Sequence, residues 1–391
     1  MNKKIHAFIM YMTVPLAAVT VDIVVTSLPS IKEVLGIDVH LAQYVFTFGV
    51  LGFGLGQLFS GFVTDAYNRK TVLISSISVL ILLLVGAVIT NDIYVLIALR
   101  FLQGLAISFI AVASRAVVRD IHDDDEYKNA VNYITIGFAL ALTVSPMVGS
   151  LILTTFSYKA VFVFLIVYSA TMLLLIFFSK ESNKNKKPLN RGNAVKDLKA
   201  LFSDTVFIRS LVMCGCFYTI VPIFDTIGSF YVTDVFHYSA IEFGWAEIIL
   251  AVAWLLGNVI NRFLSKLDLH QKTIYSLLVG FIGAVIGFVV FQLIGESDKA
   301  VISVMCVIVF VAAILFPLHL GAALVNHGKR AGVANAIVFS GCWIITSFIS
   351  NMATFLNPHT AISIYSLIVL VLSIALISYI FSMKKLRLTK K

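Results

Sequence analysis

The sequence predicts an all-α membrane protein, with roughly twelve transmembrane helices arranged as two pseudo-symmetric six-helix bundles. Three observations carry that expectation. Of 391 residues, 60% are hydrophobic and 13% charged, with mean hydropathy +0.98; a soluble domain carries about 25% charged residues. Apolar runs such as Val72 to Ile89 lack the alternation of an outer-membrane strand and reach helix-spanning length. The longest polar stretch, Lys180 to Asp204, falls near the middle and divides the spans six and six. A soluble enzyme and a β-barrel are both excluded.

The elements follow in order. Spans are expected at 5–29 and 41–63, separated by Lys32, then at 71–90 after Arg69 and Lys70, and at 93–117. The next two, 129–153 after Arg119 and Lys128 and 158–179 around Lys159, complete an N-terminal bundle over 1–179. Residues 180–204, with Asn183, Asn185, Pro188, Asn190 and Gly192 among lysines, read as a solvated cytoplasmic linker. A C-terminal bundle over 205–391 then holds spans at 206–233, 241–263, 273–294, 300–324, 333–355 and 361–383. The first apolar run continues through Leu28 and reads as a retained helix, not a cleaved signal.

Charge placement orients the chain. Lys and Arg number 29 against 20 Asp and Glu. Only Lys32, Lys159 and Lys299 fall in loops on one side, and Arg100 and Arg115 lie within a span; the remaining 24 of the 29, from Lys3 through Arg209, Lys266, Lys329 and Arg330 to Lys391, cluster on the other. The positive-inside rule therefore expects a cytoplasmic (inner) membrane protein with both termini in the cytoplasm, and the basic excess implies no nucleic-acid partner. Cys214, Cys216, Cys306 and Cys342 lie in spans and read as packing residues, and neither a metal site nor a cofactor is expected. A faint internal repeat pairs Gly61, Asp65 and Lys70 with Gly257, Asn261 and Lys266 at identical spacing, as expected of a transporter built from repeats with its site between the halves.

Gly61-Phe62-Val63-Thr64-Asp65-Ala66-Tyr67-Asn68-Arg69-Lys70 resembles the loop 2-3 signature of the major facilitator superfamily, G-x-x-x-D-x-x-G-R-[RK]. Asn68 replaces the usual Gly and is expected to keep a left-handed turn there. Arg100-Phe101-Leu102-Gln103-Gly104 and Arg115-Ala116-Val117-Val118-Arg119-Asp120 resemble the fourth-helix pattern of the Bcr/CflA branch of drug:proton antiporters, and Asp22 with Leu28-Pro29 its first-helix D-x-x-L-P-x-L-P. Gly137 with Ser145-Pro146-Met147-Val148-Gly149-Ser150 is similar to that branch's fifth-helix G-P-x-x-G-G, with serines at two glycine positions, so symport or facilitation stays open. The resemblance implies a major facilitator fold in which helix five presses on the other half. It also implies that Gly61, Asp65, Arg69, Lys70, Arg115, Arg119 and Asp120 latch one conformation. Independently of the family, Asp65 and Arg69 at i and i+4 can pair across a turn, and the alternative is a basic pair that merely anchors a loop.

Charges inside spans persist only where paired or wetted. Asp22, Arg100 and Asp225 each lie about 10–12 Å from the expected outer edge at 1.5 Å per residue, so they share one depth. The resemblance places their helices, one, four and seven, around a central cavity. Asp22 reads either as the proton-coupled carboxylate or as a fixed ion pair with Arg100. Arg100, with Gln103 one turn on, reads either as the sensor of that carboxylate or as a substrate ligand. Asp225 departs from the family pattern: a second proton site, an attraction for a cationic substrate, and simple hydration near the surface stand equally open, and Glu247 shares the ambiguity. His319, two residues after Pro317, reads as an inward proton relay or as a packing histidine. Asn258 and Asn261 read as polar residues of the cytoplasmic end.

Tyr11, Phe46, Phe109, Phe138, Phe217, Tyr218, Phe224, Trp254 and Trp343 supply rings for a lipophilic cation, a few of them touching substrate. No phosphate-binding G-x-x-x-x-G-K-[ST] loop occurs, and no chemistry on the substrate is expected. The expected function is a proton-coupled secondary transporter, an antiporter exporting lipophilic or cationic small molecules as a monomer in the bilayer. The alternative is a carrier of one polar metabolite, such as a siderophore or nutrient.

Overall fold

A computed structural model describes residues 3–182, 191–264, 267–325, 327 and 331–388. Lys266, Lys329, Arg330 and the linker positions 183–190 lie outside them. The described residues form helices without strands and divide into two compact units, Met1–Arg191 and Gly192–Lys391.

In the first unit, α1 (Lys3–Asp22) breaks into a short 3-10 turn, Val25–Ser27, and resumes as α2 (Leu28–Leu35), where Pro29 sits at the tolerated first turn. Then come α3 (Val39–Ala66), α4 (Arg69–Ile89), α5 (Ile93–Ile121), α6 (Asp124–Leu153) and α7 (Tyr158–Phe177). Short polar loops supply caps: Asp92 accepts from the Tyr94 and Val95 amides at 2.8 and 3.3 Å, and Asp123 with Glu126 closes a capping box on α6. Helices α3 and α5 touch backbone to backbone. A Cβ on Gly52 would lie 2.0 Å from the Phe101 carbonyl oxygen, and one on Gly104 2.2 Å from that of Gly49. With no solvent-driven association in lipid, such small-residue contact is what holds helices together.

The second unit contains α8 (Arg191–Ser203), α9 (Thr205–Tyr218), α10 (Ile220–Ile223), α11 (Ala240–Phe263), α12 (Leu269–Ile294), α13 (Asp298–Leu324), α14 (Ala331–Ala353) and α15 (Ala361–Leu388). Eleven helices among the described residues are long and apolar enough to cross a membrane, and pairing α8 with α9 across its 82° bend gives up to twelve. The expected seventh span runs in pieces. After α9 and α10 the chain passes through two π-helical turns, Phe224–Gly228 and Tyr231–Val235. Each π turn carries an extra residue, and such bulges concentrate at functional sites. Outward-facing Leu82, Val167, Ile282 and Ile377 are exposed, as lipid-facing residues should be.

Several expectations need correction. The linker is not solvated throughout, because α8 buries Leu201 among Phe207, Cys214 and Val338. Arg209 is not a loop residue but lies buried in α9 with its guanidinium 5.1 Å from the Tyr379 ring. Asn68 adopts extended backbone (φ −64°, ψ 123°) as the N-cap residue of α4, so no left-handed turn is present. Gly257 would place a Cβ 2.4 Å from the Phe310 oxygen whereas one on Gly61 meets nothing within 4 Å, so the paired glycines do different packing work.

Candidate functional site

Arg100 is almost fully buried in α5, and its partners are chiefly main chain. Its Nε donates to Val45 O at 3.2 Å, Nη1 to Thr20 O at 3.2 Å and Gln103 Oε1 at 2.9 Å, and Nη2 to Val21 O at 3.5 Å. Thr20 and Val21 lie in the last turn of α1, just before its break, where carbonyls lose regular intrahelical donors. The planar guanidinium substitutes for those donors and pins the break to α3 and α5. Gly49 leaves the necessary room: a Cβ there would sit 3.0 Å from Nη2. Gln103 is held in turn, donating to Leu83 O at 3.1 Å. Half-buried Asp22 adds a coulombic attraction to Arg100, so the structure brings these two together inside one bundle.

In the second unit the side chains of Asp225 and Glu247, each 5% exposed, lie against one another. Asp225 sits in the first π turn, where its own carbonyl accepts from Ser229 Oγ at 2.8 Å, and Thr226 Oγ1 donates to Pro222 O at 2.7 Å. Pro222 removes one main-chain donor and the π turn displaces others, so nearby hydroxyls take their place. Two carboxyl groups packed together out of water escape their mutual repulsion when one of them carries a proton. Such a pair is suited to hold a proton.

Seven residues before Asp225 and seven after Glu247 stand Tyr218 and Trp254, about 10 Å along each axis by α-helical rise. They belong to a ring cluster. Tyr218 lies 4.7 Å from Trp343 and 5.7 Å from Phe316, which lies 6.0 Å from Trp254. Phe316 was not singled out in the sequence; it is one of 31 Phe, and nothing in its spacing separates it from the rest. Phe217 and Phe224 have no exposed surface: Phe217 packs on His319 and Phe224 stacks on Phe243. Asn258 donates to Trp254 O at 3.0 Å, and Asn261 Oδ1 accepts from Lys272 Nζ at 3.2 Å.

The loop-motif residues assemble at one end of the first unit. Arg69 is salt-bridged to Asp120, lies 3.7 Å from Asp65 and donates to Ala116 O at 2.6 Å. Lys70 Nζ donates to Phe177 O and Ser179 O, both at 2.7 Å, closing the carbonyl end of α7. Arg115 and Arg119 lie over the rings of Phe138 and Tyr127 at 5.6 and 4.6 Å. Two members were missed because they sit in what reads as linker. Glu181 accepts from the Arg69 and Lys70 amides at 3.1 and 3.0 Å, and Ser182 donates to Asp120 Oδ2 at 2.9 Å. A carboxylate on the first amides of α4 is favourably placed against the helix dipole. Glu181→Ala is expected to lower stability by about 1 kcal/mol, less at high salt, as read by thermal unfolding in detergent.

The helix-five glycines also face their own bundle. Gly149 would put a Cβ 2.4 Å from Thr26 Oγ1 and 2.7 Å from Ile23 O, and Gly137 lies against Pro15 at 3.6 Å. For Gly149 the close approach that motivated the sequence reading is made to the break after α1. Pro146 is buried inside α6.

The family profile of the Major Facilitator Superfamily matches residues 10–350. The chain belongs to the major facilitator superfamily. This major facilitator protein is 24% identical over 348 residues to multidrug resistance protein D of Escherichia coli, covering 86% of each chain. It is 25% identical to a bicyclomycin resistance protein homolog of Haemophilus influenzae, covering 72% of this chain and 73% of that one. These relatives bear out the resemblance to the Bcr/CflA branch. A D-xylose-proton symporter structure superposes with TM-score 0.74 at 15% identity, over 95% of this chain and 96% of that one, which establishes the fold. The superfamily member is a multi-pass membrane transporter, and its relatives are transporters, not enzymes.

Proposed function

We propose that the protein exports lipophilic or cationic small molecules from the cytoplasm in exchange for protons, by alternating access, as a monomer in the cytoplasmic membrane with both termini inside. The observation that carries this reading is the buried Asp225–Glu247 carboxyl pair. A pair that holds a proton when closed can release it to a cation, whose charge then replaces the proton between the oxygens. The Tyr218, Phe316, Trp254 and Trp343 rings, two turns away, suit the apolar body of such a cation, because ring faces attract positive charge and bury hydrocarbon. Asp22 beside Arg100 is the corresponding carboxylate of the other bundle and a second proton site. Arg69, Asp65 and Asp120 then act as the conformational latch. The polar-metabolite reading needs Arg100 to bind an anion, and four of its donor contacts are already made to protein oxygens.

Competition with protons has a definite sign. A cation that displaces a proton binds more weakly as pH falls, and its binding releases protons into weakly buffered medium. Purified protein titrated with ethidium and tetraphenylphosphonium should show both effects. Affinity independent of pH, or binding without proton release, would overturn the exchange reading.

A further inference from the structure

The bundle end where α12 begins and α13 and α15 end is assigned to the cytoplasm by the charge pattern, and it contains a row of titratable and hydroxyl groups that the carboxyl pair does not use. Its inner member is His319, completely buried in α13. His319 Nε2 lies 3.2 Å from Thr273 Oγ1, while among the described residues its Nδ1 has no hydrogen-bond partner. A buried imidazole with one nitrogen bonded and the other bare is costly, and packing alone would be served better by an apolar ring. The Thr273 side chain also lies beside that of Tyr379 of α15, whose ring meets the His319 imidazole edge-on with centroids 6.2 Å apart. The Tyr379 hydroxyl lies 2.8 Å from His270 Nδ1, and His270 is exposed in the first turn of α12. The two rings also stack, with centroids 5.7 Å apart and planes 18° apart. Two hydrogen-bonded pairs from three helices, His319 with Thr273 and Tyr379 with His270, thus stand next to each other between a sealed nitrogen and solvent.

We propose that His319, Thr273, Tyr379 and His270 form a proton relay between the interior of the second bundle and the cytoplasm. The inference rests on the proton-exchange reading above and names the inner exit of its protons. The bookkeeping is one proton in and one out. A proton arriving on His319 Nδ1 frees the one on Nε2 to pass to Thr273 Oγ1; the Thr273 proton passes to Tyr379 Oη; the Tyr379 proton passes to His270 Nδ1; His270 Nε2 releases its proton to solvent. Thr273 at rest donates to Leu269 O at 2.7 Å, so its hydroxyl must rotate toward Tyr379 for each transfer, a change between staggered wells. The chain returns by reversal of hydroxyl and ring tautomers.

Charged groups flank the relay. Arg209 of α9 lies with its guanidinium 5.1 Å from the Tyr379 ring, and Asp268 caps the start of α12. Lys272, beside Thr273, is turned to Asn261, and Asp204 at the start of α9 is paired with His327 at 3.0 Å. The Phe217 ring packs beside His319, with centroids 6.2 Å apart.

The test uses full-length protein in proteoliposomes, with ethidium as probe and a pH gradient as driving force. Tyr379→Phe and Thr273→Val each delete one hydroxyl from the chain, and each should slow turnover about tenfold, which is the loss of one modest barrier contribution. The slowed variants should show an enlarged solvent deuterium effect. Ethidium affinity, the number of protons released at equilibrium and the unfolding temperature should remain at wild-type values, and Thr273→Ser should restore turnover. If wild-type protein exchanges protons and both hydroxyl deletions turn over at wild-type rate from pH 5.5 to 8.5, the relay is overturned while the exchange reading stands. If wild-type protein releases no protons on binding, the exchange reading falls and the relay with it. Slowing with lost affinity or a lowered unfolding temperature, unrescued by Thr273→Ser, assigns these residues to packing and also overturns the relay.

Discussion

Asp225→Asn is expected to abolish proton release on cation binding and to cut pH-driven transport on the order of 100-fold, the scale of losing a positioned proton-transfer group. The amide keeps the size of the carboxyl and offers Glu247 a neutral donor, so the π turn and its hydroxyl contacts should survive. What disappears is the requirement for a shared proton. Glu247 opposite an amide has a neutral donor and no like charge, so cation binding should persist with little pH dependence. Glu247→Gln should behave alike if the two carboxyls share one proton, and the double variant should be little worse than either single one. The check is a calorimetric titration in two buffers of different ionisation enthalpy, which counts protons, beside transport in vesicles. A fully coupled Asp225→Asn protein would move the proton site to Asp22 alone.

The fold was legible because bilayer physics leaves so few options: apolar runs of spanning length, basic residues gathered in alternate loops and a polar centre point to helices and their number together. The site was legible in its charges, since Asp22, Arg100, Asp225 and Glu247 each break an apolar run. Their pairing was not. Asp225 and Arg100 appeared to share a depth, but the partner of Asp225 within its own bundle is Glu247, and that depends on a π-distorted seventh helix whose rotation a 3.6-residue period cannot anticipate. Likewise Arg100 read as a partner for side chains, because main-chain carbonyls freed at a helix break leave no mark in the sequence. Glu181 was invisible for a related reason: a carboxylate among lysines looks solvated until a helix start is placed beside it. The Thr273–Tyr379 link joins residues more than 100 positions apart, and neither belongs to a motif.

Arg100→Ala is expected to destabilise the first bundle by about 3–5 kcal/mol, the scale of breaking a buried charged hydrogen-bond network from one side. The substitution leaves the carbonyls of Thr20, Val21 and Val45 and the Gln103 amide oxygen without their guanidinium donors, and opens a cavity beside Gly49. Arg100→Lys should recover only part of the loss, because one ammonium cannot span carbonyls on two helices in the plane that the guanidinium fork occupies. The comparison with Asp22→Asn decides what the pair is for. A fixed Asp22–Arg100 ion pair would make the two substitutions about equally damaging. Main-chain anchoring by Arg100 instead makes Asp22→Asn much milder, about 1 kcal/mol, since the arginine retains its carbonyl partners and loses only a half-buried neighbour. Denaturant unfolding of both single variants and the double variant in detergent measures the coupling directly. A mild Asp22→Asn beside a severe Arg100→Ala would leave the Asp22 carboxylate free to gain and lose a proton without loosening the bundle, which is the property that a transport cycle asks of it.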